Sequence, residues 1–93
     1  MEDPQRLEAI VHGRVQGVAF RHHTLLRARN LVLVGYVRNR WDGTVEVVAE
    51  GAHGALEELL SFLRVGPRAA YVTHVDANWR AATGKLSRFE VRF

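Results

Sequence analysis

The order of two apolar patterns along the chain restricts the fold more than any other feature of this sequence. Five segments alternate apolar with polar residues, which is the period of a β-strand with one buried face. These segments are residues 6–11, 33–38, 44–50, 74–79 and 88–93. Near 19–30 and 56–63, apolar residues instead recur three and four positions apart, which indicates two amphipathic helices. The predicted order is therefore βαββαβ with a short fifth strand.

This order predicts the α+β class, in the form of a ferredoxin-like α/β sandwich. Each half of the chain is a strand, a helix and a strand, and two right-handed crossovers place both helices on one face of an antiparallel sheet. Asp42 and Gly43 mark the hairpin turn that joins the halves. With 93 residues, the chain is expected to form a single domain, 1–93. The expected core lies on the helix-covered face and contains Leu7, Ala9, Val11, Phe20, Ala28, Val45, Val47, Leu56, Leu59, Leu60, Leu63 and Phe89.

The amino-acid composition excludes several functional classes. No cysteine is present, so disulfides, thiolate metal sites and thiol catalysis are ruled out, and a cytoplasmic location is expected. No apolar run reaches membrane length, and the first residues are acidic and polar, so we expect neither a membrane partner nor a targeting segment. The net charge of +3 is spread along the chain, whereas nucleic-acid-binding proteins usually concentrate their positive charge. A nucleic-acid partner is therefore not expected.

The segment 11–21 closes the first strand, contains two glycines and opens the first helix. Backbone N–H groups in a glycine turn and in the first turn of a helix lack intrachain partners, so they can converge on an anion. The planar guanidinium of Arg21 can bind the same phosphate through two parallel hydrogen bonds. A glycine pair here can equally be a simple turn, and neither nucleotide-binding glycine pattern is present. The candidate phosphate-binding residues are Gly13, Arg14, Val15, Gln16, Gly17, Val18, Ala19 and Arg21.

Asn39, at the end of the second strand, is the second candidate site residue. Asparagine in a hairpin mouth is commonly a turn former whose side chain bonds its own backbone. In a split βαβ sheet, however, the loop after the first strand and the mouth of the central hairpin can be brought together. Asn39 would then face an anion held at Arg21, and the residues alone leave both interpretations open.

The two segments together resemble the paired signatures of the acylphosphatase family, G-x-V-Q-G-V-x-F-R and G-[FYW]-V-x-N-x-x-x-G-x-V-x-x-x-x-x-G. The matching residues are Gly13, Val15, Gln16, Gly17, Val18, Phe20 and Arg21 in the first signature, and Gly35, Tyr36, Val37, Asn39, Gly43, Val45 and Gly51 in the second. Gly66 and Pro67, followed by Ala70 and Val72, resemble a later segment of the family, so the resemblance covers nearly the whole chain. The sequence departs from the family at Ala19 and Val32, where members commonly have glycine, and at Tyr36, where tryptophan is frequent.

The resemblance implies a fold like the predicted one and the hydrolysis of an acyl phosphate, without metal or cofactor, to a carboxylate and inorganic phosphate. Arg21 and Asn39 are the expected catalytic residues, with the loop amides and Arg21 on the phosphate and Asn39 orienting the attacking water. A carboxylate leaving group, with a pKa near ~4, needs no general acid. The substrate phosphate, with a second pKa near ~6, can accept the proton. A small-molecule acyl phosphate, no cofactor and a monomer are therefore expected.

The histidines are interpreted as structural or surface residues. His22 and His23 follow Arg21 directly, but adjacent helix positions point about 100° apart, so the two cannot share one metal ion in a regular helix. His12, His53 and His74 are scattered along the chain. No metal site is expected from this arrangement.

The alternative function is a non-catalytic phosphate- or RNA-binding ferredoxin-like module. RNA-binding modules of this order need aromatic residues on the exposed sheet face. The third strand instead offers Thr44, Glu46, Val48 and Glu50 on that outer face. Trp41, in the hairpin, could line an acyl pocket or cover one end of the core, and the sequence does not choose between these positions.

Overall fold

The computed structural model describes residues 3–93, and its helices and strands follow the predicted order. They are β1 Gln5–Arg14, α1 Phe20–Asn30, β2 Val34–Asn39, β3 Val45–Gly51, α2 His53–Val65, β4 Tyr71–Ala81 and β5 Phe89–Arg92. Both helices pack on the same sheet, α1 over β2 and β5, and α2 over β1, β3 and β4. Neither helix within residues 3–93 is long and apolar enough to cross a bilayer.

The strands form one five-stranded sheet in the order β4-β1-β3-β2-β5. β1 pairs antiparallel with β4 and β3, and β3 pairs antiparallel with β2. β5 instead lies parallel to β2, so the sheet is mixed rather than wholly antiparallel. The reason is the path of residues 82–88, which carry the chain from β4 at one edge, across the end of the sheet, to the opposite edge. The ferredoxin-like βαββαβ sandwich is confirmed, with this extension at its edge.

Strand direction brings three chain segments to the same end of the sheet. Because β3 is antiparallel to both of its neighbours, β1 and β2 run in the same direction, and β5 runs with β2. The carboxyl ends of β1, β2 and β5 therefore lie together. The glycine loop after β1, Asn39 at the end of β2 and Phe93 after β5 all occupy this end.

The helix-covered face holds the core, as predicted. Every residue of the expected core is at most 9% exposed, and Val37 and Ala49 continue the same buried face. Phe20 begins α1 and Phe89 begins β5, and each ring is 1% exposed. Burial of one such side chain contributes roughly 1.5–3 kcal/mol relative to leaving it in water. The start of α1 is therefore fixed against the sheet beside the glycine loop.

The opposite face of the sheet departs from expectation at β3. The alternation predicts an exposed outer surface at Thr44, Glu46, Val48 and Glu50. Only Glu46 is partly exposed, whereas Thr44, Val48 and Glu50 are 7%, 2% and 3% exposed. Glu50 accepts hydrogen bonds from Arg6 Nη1 at 2.9 Å, from Thr83 N at 3.0 Å and from Gly84 N at 3.1 Å. Burial raises the pKa of Glu50, but these hydrogen bonds outweigh burial and lower the pKa to about 2. A buried carboxylate thus fastens the loop after β4 to the sheet.

The end of α1 explains how the chain accommodates valine at position 32. Leu33 N donates to Ala28 O at 3.0 Å and Val32 N donates to Arg29 O at 3.0 Å, which together form a Schellman motif. This motif places its C′ residue in the left-handed region, and Val32 adopts a φ of 58° although it is β-branched. Its side chain projects into solvent, where 87% of the residue is exposed. The helix therefore ends in a regular Schellman motif although valine is strained in the left-handed conformation.

Candidate active site

A cavity of about 200 Å³ lies at the carboxyl ends of β1, β2 and β5, beside the start of α1. Its lining includes Arg21 from the first turn of α1 and Asn39 from the end of β2. The remaining lining residues are Val15, Gly17, Ala19, Phe20, His22, Val91 and Phe93. The two side chains that the sequence singles out therefore share one small cavity, although a helix and a strand separate them along the chain.

The loop between β1 and α1 turns through two residues in the left-handed region. Gly17 and Ala19 are both left-handed, with φ values of 75° and 58°. Such residues turn neighbouring N–H groups toward one side of the chain, as in anion-binding nests. Ala19 is also the N-cap of α1, and no side chain caps the helix there. The first N–H groups of α1 lack carbonyl partners within the helix, so these donors and the helix dipole favour an anion in front of them.

The charge at the cavity is positive. The guanidinium carbon of Arg21 lies 4.8 Å from the centre of the Phe93 ring, a cation–π contact that restricts where the side chain can go. The first turn of α1 contains no acidic residue, and no acidic residue from the described range 3–93 lines the cavity. Arg21 therefore supplies the permanent positive charge among the lining side chains, and no Asp or Glu side chain in the lining opposes it.

Gln16 connects the glycine loop to the central hairpin. Its side-chain Nε2 donates to Arg40 O at 2.8 Å and to Thr44 O at 2.9 Å. Arg40 N also donates to Thr44 O at 2.8 Å, which closes the hairpin, and Thr44 N donates to Asp42 Oδ1 at 3.1 Å. The loop that carries Gly17 and the strand end that carries Asn39 are thus held to one another by two hydrogen bonds from a single amide.

Asn39 lines the cavity and has a buried side-chain acceptor. It lies on the helix-facing side of β2, two residues beyond the buried Val37. Its Oδ1 atom is buried and has no hydrogen-bond partner among residues 3–93. A turn-forming asparagine would use this oxygen on its own backbone, and here Asp42 serves the hairpin instead. An unsatisfied buried oxygen costs about 1–3 kcal/mol, so its retention at a cavity wall is typical of a binding site.

Comparison with known proteins identifies the family. The family model described as Acylphosphatase matches residues 7–91. The chain belongs to the acylphosphatase family. It is 48% identical over 90 residues to an acylphosphatase of Syntrophotalea carbinolica, covering 97% of this chain and 98% of the relative. It is 47% identical over 88 residues to an acylphosphatase of Salinibacter ruber, covering 95% and 93%. The crystal structure of acylphosphatase from Bacillus subtilis superimposes with a TM-score of 0.92 at 34% identity, covering 96% of this chain and 99% of that one.

The predicted site residues divide into two groups by position. Those that line the cavity are Val15, Gly17, Ala19, Arg21 and Asn39. Gly13, Arg14, Gln16 and Val18, which belong to the predicted phosphate site, do not line it. Gln16 acts on the hairpin as described, and Val18 packs against the core.

Gly13 has an architectural position in the strand. The pairing of β1 with β4 shifts register between His12 and Gly13, and Gly13 has a φ of 126°. A Cβ atom at Gly13 would lie 2.0 Å from Tyr71 O, so only glycine allows β4 to approach this closely. Arg14, the last residue of β1, is exposed and pairs with Tyr71 in the sheet. Both residues precede the part of the loop that lines the cavity.

Three lining residues escaped sequence analysis. Val91 and Phe93 reach the cavity because β5 is parallel to β2, a pairing that alternation alone does not reveal. His22 lines the cavity beside Arg21, whereas the sequence analysis interprets it as a structural or surface residue. Trp41 takes neither position considered for it, since it is 94% exposed and does not line the cavity.

A larger groove of about 910 Å³ lies between α1 and α2. Arg27, Glu58 and Phe62 are among its lining residues, and it shares Ala19 with the small cavity. It contains neither Arg21 nor Asn39. The small cavity is therefore the candidate active site, because the chemistry-bearing side chains of both family signatures lie there.

Proposed function

We propose that this protein hydrolyses acyl phosphates to a carboxylate and inorganic phosphate in the cavity between Arg21 and Asn39. The observation that carries the proposal is the meeting of these two side chains in one cavity of about 200 Å³. Membership of the acylphosphatase family supports the same reaction. The cavity is smaller than the ~300–1,000 Å³ typical of pockets for drug-sized ligands, so it suits a phosphoryl group whose acyl substituent extends outside.

The phosphoryl group is bound by backbone amides and one guanidinium. The left-handed Gly17 and Ala19 and the uncapped start of α1 support the assignment of loop amides in 13–19 as phosphate donors. Arg21 then binds two phosphate oxygens with its planar donors, and its charge stabilises the negative charge that spreads over those oxygens in the transition state. Because the donors are fixed before substrate binds, little reorganisation opposes the reaction.

Asn39 orients the attacking water. Its buried Oδ1 accepts a hydrogen bond from the water, and its Nδ2 can donate to a phosphate oxygen, so one amide sets the direction of approach to phosphorus. An amide is not a base, and the bound phosphate, with a second pKa near ~6, takes the proton. The bond from phosphorus to the acyl oxygen breaks as the new P–O bond forms, and the acyl group departs as a carboxylate that needs no general acid. The mechanism therefore uses neither a catalytic histidine nor a metal ion.

RNA binding is less well supported than hydrolysis. A sheet-face RNA site needs exposed aromatic rings on which bases can stack. On the open face of this sheet, the ring of Tyr36 is covered by Arg92, whose guanidinium carbon lies 4.0 Å from the ring centre. Neighbouring charges are paired across the strands, as in the bond from Arg38 to Glu46. The face thus offers neither a free stacking platform at its centre nor a concentrated positive charge.

The proposal extends to a cytoplasmic monomer that needs no cofactor and binds neither nucleic acid nor membranes. The cysteine-free sequence suits a reducing compartment. The core is complete within one chain, with the residues of both helices and four strands buried against one another. Size-exclusion chromatography coupled to light scattering measures the monomer directly, and a dimer mass would contradict it.

The test of the reaction is phosphate release from benzoyl phosphate, with and without a chelator. We expect turnover that the chelator leaves unchanged, and little activity on alkyl phosphate monoesters, whose alkoxide is a much poorer leaving group. Arg21→Ala and Asn39→Ala should each lower turnover by roughly two to three decades, the scale for removing one preorganised polar contact. Arg21→Lys should lose nearly as much, because an ammonium cannot form two parallel hydrogen bonds.

Matched controls are available elsewhere on the chain. Arg64 on α2 and Asn78 on β4 are exposed and lie outside the cavity, so Arg64→Ala and Asn78→Ala should retain normal turnover. Near-normal rates in both Arg21→Ala and Asn39→Ala would remove the mechanism. Phosphate binding without turnover would favour the non-catalytic module, and His22→Ala retaining less than a tenth of the activity would give that lining residue a catalytic role.

A further inference from the structure

Two neighbouring strands bring His12, His74 and Asp76 together on the sheet face opposite the helices. His12 in β1 pairs directly with His74 in β4, and Asp76 follows two residues later on the same face. The two histidines are 62 positions apart in the sequence, so only the pairing of β1 with β4 reveals this cluster. We propose that these three side chains form a binding site for a divalent transition-metal ion such as Zn²⁺.

The ligand atoms already lie near metal-binding distances of one another. His12 Nε2 is 2.9 Å from Asp76 Oδ2, and His74 Nε2 is 3.8 Å from the same oxygen. One ligand atom from each residue can be chosen so that all lie within 4.8 Å. In a tetrahedral zinc site with bonds of ~2.0–2.2 Å, ligand atoms are about 3.3 Å apart. The two separations from Asp76 Oδ2 lie within about 0.5 Å of this value, and the three atoms lie within 4.8 Å of one another, so binding requires side-chain adjustment.

The adjustment required is a rotation of the two imidazole rings. Their centroids are 4.0 Å apart and their planes differ by 12°, so the rings are stacked and their in-plane lone pairs run side by side. One ion needs these lone pairs to converge, and rotation about the side-chain torsions achieves this without moving the strands. The side chains of His74 and Asp76 are 58% and 61% exposed, so solvent leaves room for the movement. The paired strands keep the three attachment points fixed.

The donor set selects the class of ion. Two imidazole nitrogens and one carboxylate oxygen suit zinc, copper, nickel or iron, whereas magnesium and calcium prefer ligand sets made of oxygen. Three protein ligands leave at least one coordination position for water. Neither histidine lines the cavity that contains Arg21 and Asn39, so the ion would not take part in hydrolysis.

The expected consequence of binding is stabilisation of the sheet edge. β4 is an edge strand, held to its single neighbour β1, and the ion would join these two strands through side chains as well as through backbone hydrogen bonds. An ion that binds the folded chain and not the unfolded one shifts the folding equilibrium toward the folded state. Zn²⁺ should therefore raise the melting temperature of the protein.

The test is calorimetric titration of the full chain, prepared without a polyhistidine tag, with Zn²⁺ in a non-chelating buffer. We expect one ion per chain, and no saturable binding of Mg²⁺. His74→Ala and Asp76→Asn should each weaken Zn²⁺ binding at least tenfold, and both change exposed side chains, so folding should survive. His23→Ala on α1 removes a histidine elsewhere and should leave Zn²⁺ binding unchanged.

A thermal melt provides the second measurement. Zn²⁺ should raise the melting temperature of the unmodified protein and of His23→Ala, and should leave that of His74→Ala unchanged. Hydrolysis of benzoyl phosphate should be the same with Zn²⁺ bound and after chelation. Absence of saturable Zn²⁺ binding, or binding of equal strength in His74→Ala, would overturn the proposal while leaving the assignment of Arg21 and Asn39 untouched.

Discussion

Replacing Val32 with glycine should stabilise the protein, although it removes a side chain. Val32 is the C′ residue of the Schellman motif that ends α1 and has a φ of 58°. A residue other than glycine in this left-handed region costs of order 1–3 kcal/mol, and branching at Cβ makes the conformation unusual for valine. Glycine adopts the same φ without this cost.

Two opposing terms reduce the gain from Val32→Gly. Because Val32 is 87% exposed, only about an eighth of the side chain is buried. At roughly 1.5–3 kcal/mol for full burial of valine, its removal costs about 0.3 kcal/mol. The freer unfolded chain of the glycine variant costs about 0.4–1 kcal/mol more. Taking strain relief as about 2 kcal/mol, the net gain is about 1 kcal/mol, which raises the melting temperature of a domain this size by roughly 4–8 °C.

Thermal and urea denaturation of matched variants would separate the terms for Val32→Gly. Val32→Asn should fall between the unmodified protein and the glycine variant, because asparagine tolerates the left-handed region better than valine does. Asn30→Gly, in the last turn of the same helix, gains no strain relief and should lower the melting temperature. If Val32→Gly melts no higher than the unmodified protein while Asn30→Gly melts lower, the strain assigned to Val32 does not exist.

Three further changes test other parts of the structure. Glu50→Gln should lower the free energy of unfolding by roughly 3 kcal/mol at neutral pH. The folded protein stabilises the ionised carboxylate, which lowers its pKa from the reference value of 4.5 to about 2, and the variant lacks this charge. Since the pKa is depressed in the folded state, this contribution is fully present above pH ~4.5 and disappears as the pH falls toward ~2. Urea denaturation at several pH values measures it, and a difference in stability between Glu50→Gln and the unmodified protein that stays constant with pH would contradict the prediction. Gln16→Ala removes two hydrogen bonds between the loop and the hairpin, so we expect slower benzoyl phosphate turnover and a loss of about 1–2 kcal/mol of stability. An unchanged rate would show that these hydrogen bonds do not position Asn39. Gly13→Ala would place Cβ 2.0 Å from Tyr71 O and should cost at least ~3 kcal/mol in urea denaturation, and a mild effect would mean that β4 can move away.

Periodicity predicts most of the fold because it reports local geometry. The alternation in 6–11 and the leucine spacing in 56–63 each reflect one element with one buried side, and both elements form where predicted. The strand predicted in 44–50 also forms, although both of its faces are largely buried. The rule that crossovers are right-handed then orders the strands. The meeting of Arg21 and Asn39 is implied by the resemblance to the acylphosphatase signatures, because the residues alone leave the placement of Asn39 open.

Contacts that depend on pairing between distant elements are harder to read from the sequence. Nothing in the alternation of 88–93 shows that β5 pairs parallel with β2, so the contribution of Phe93 to the cavity was missed. The burial of Glu50 depends on a loop that crosses the end of the sheet. His12 and His74 meet because of strand register, which a single sequence does not specify. In each case the determining contact joins residues far apart in the chain.

The two left-handed residues that flank α1 have different structural consequences. Ala19 before the helix and Val32 after it both have a φ of 58°. At Val32 the backbone only ends the helix, and the exposed side chain adds strain without a compensating contact. At Ala19 the same conformation lies in the cavity lining at the start of α1, where backbone N–H groups lack partners within the helix. A methyl group restricts the loop more than glycine would, so the strain at Ala19 would help to hold the proposed phosphate donors in place, whereas the strain at Val32 contributes only instability.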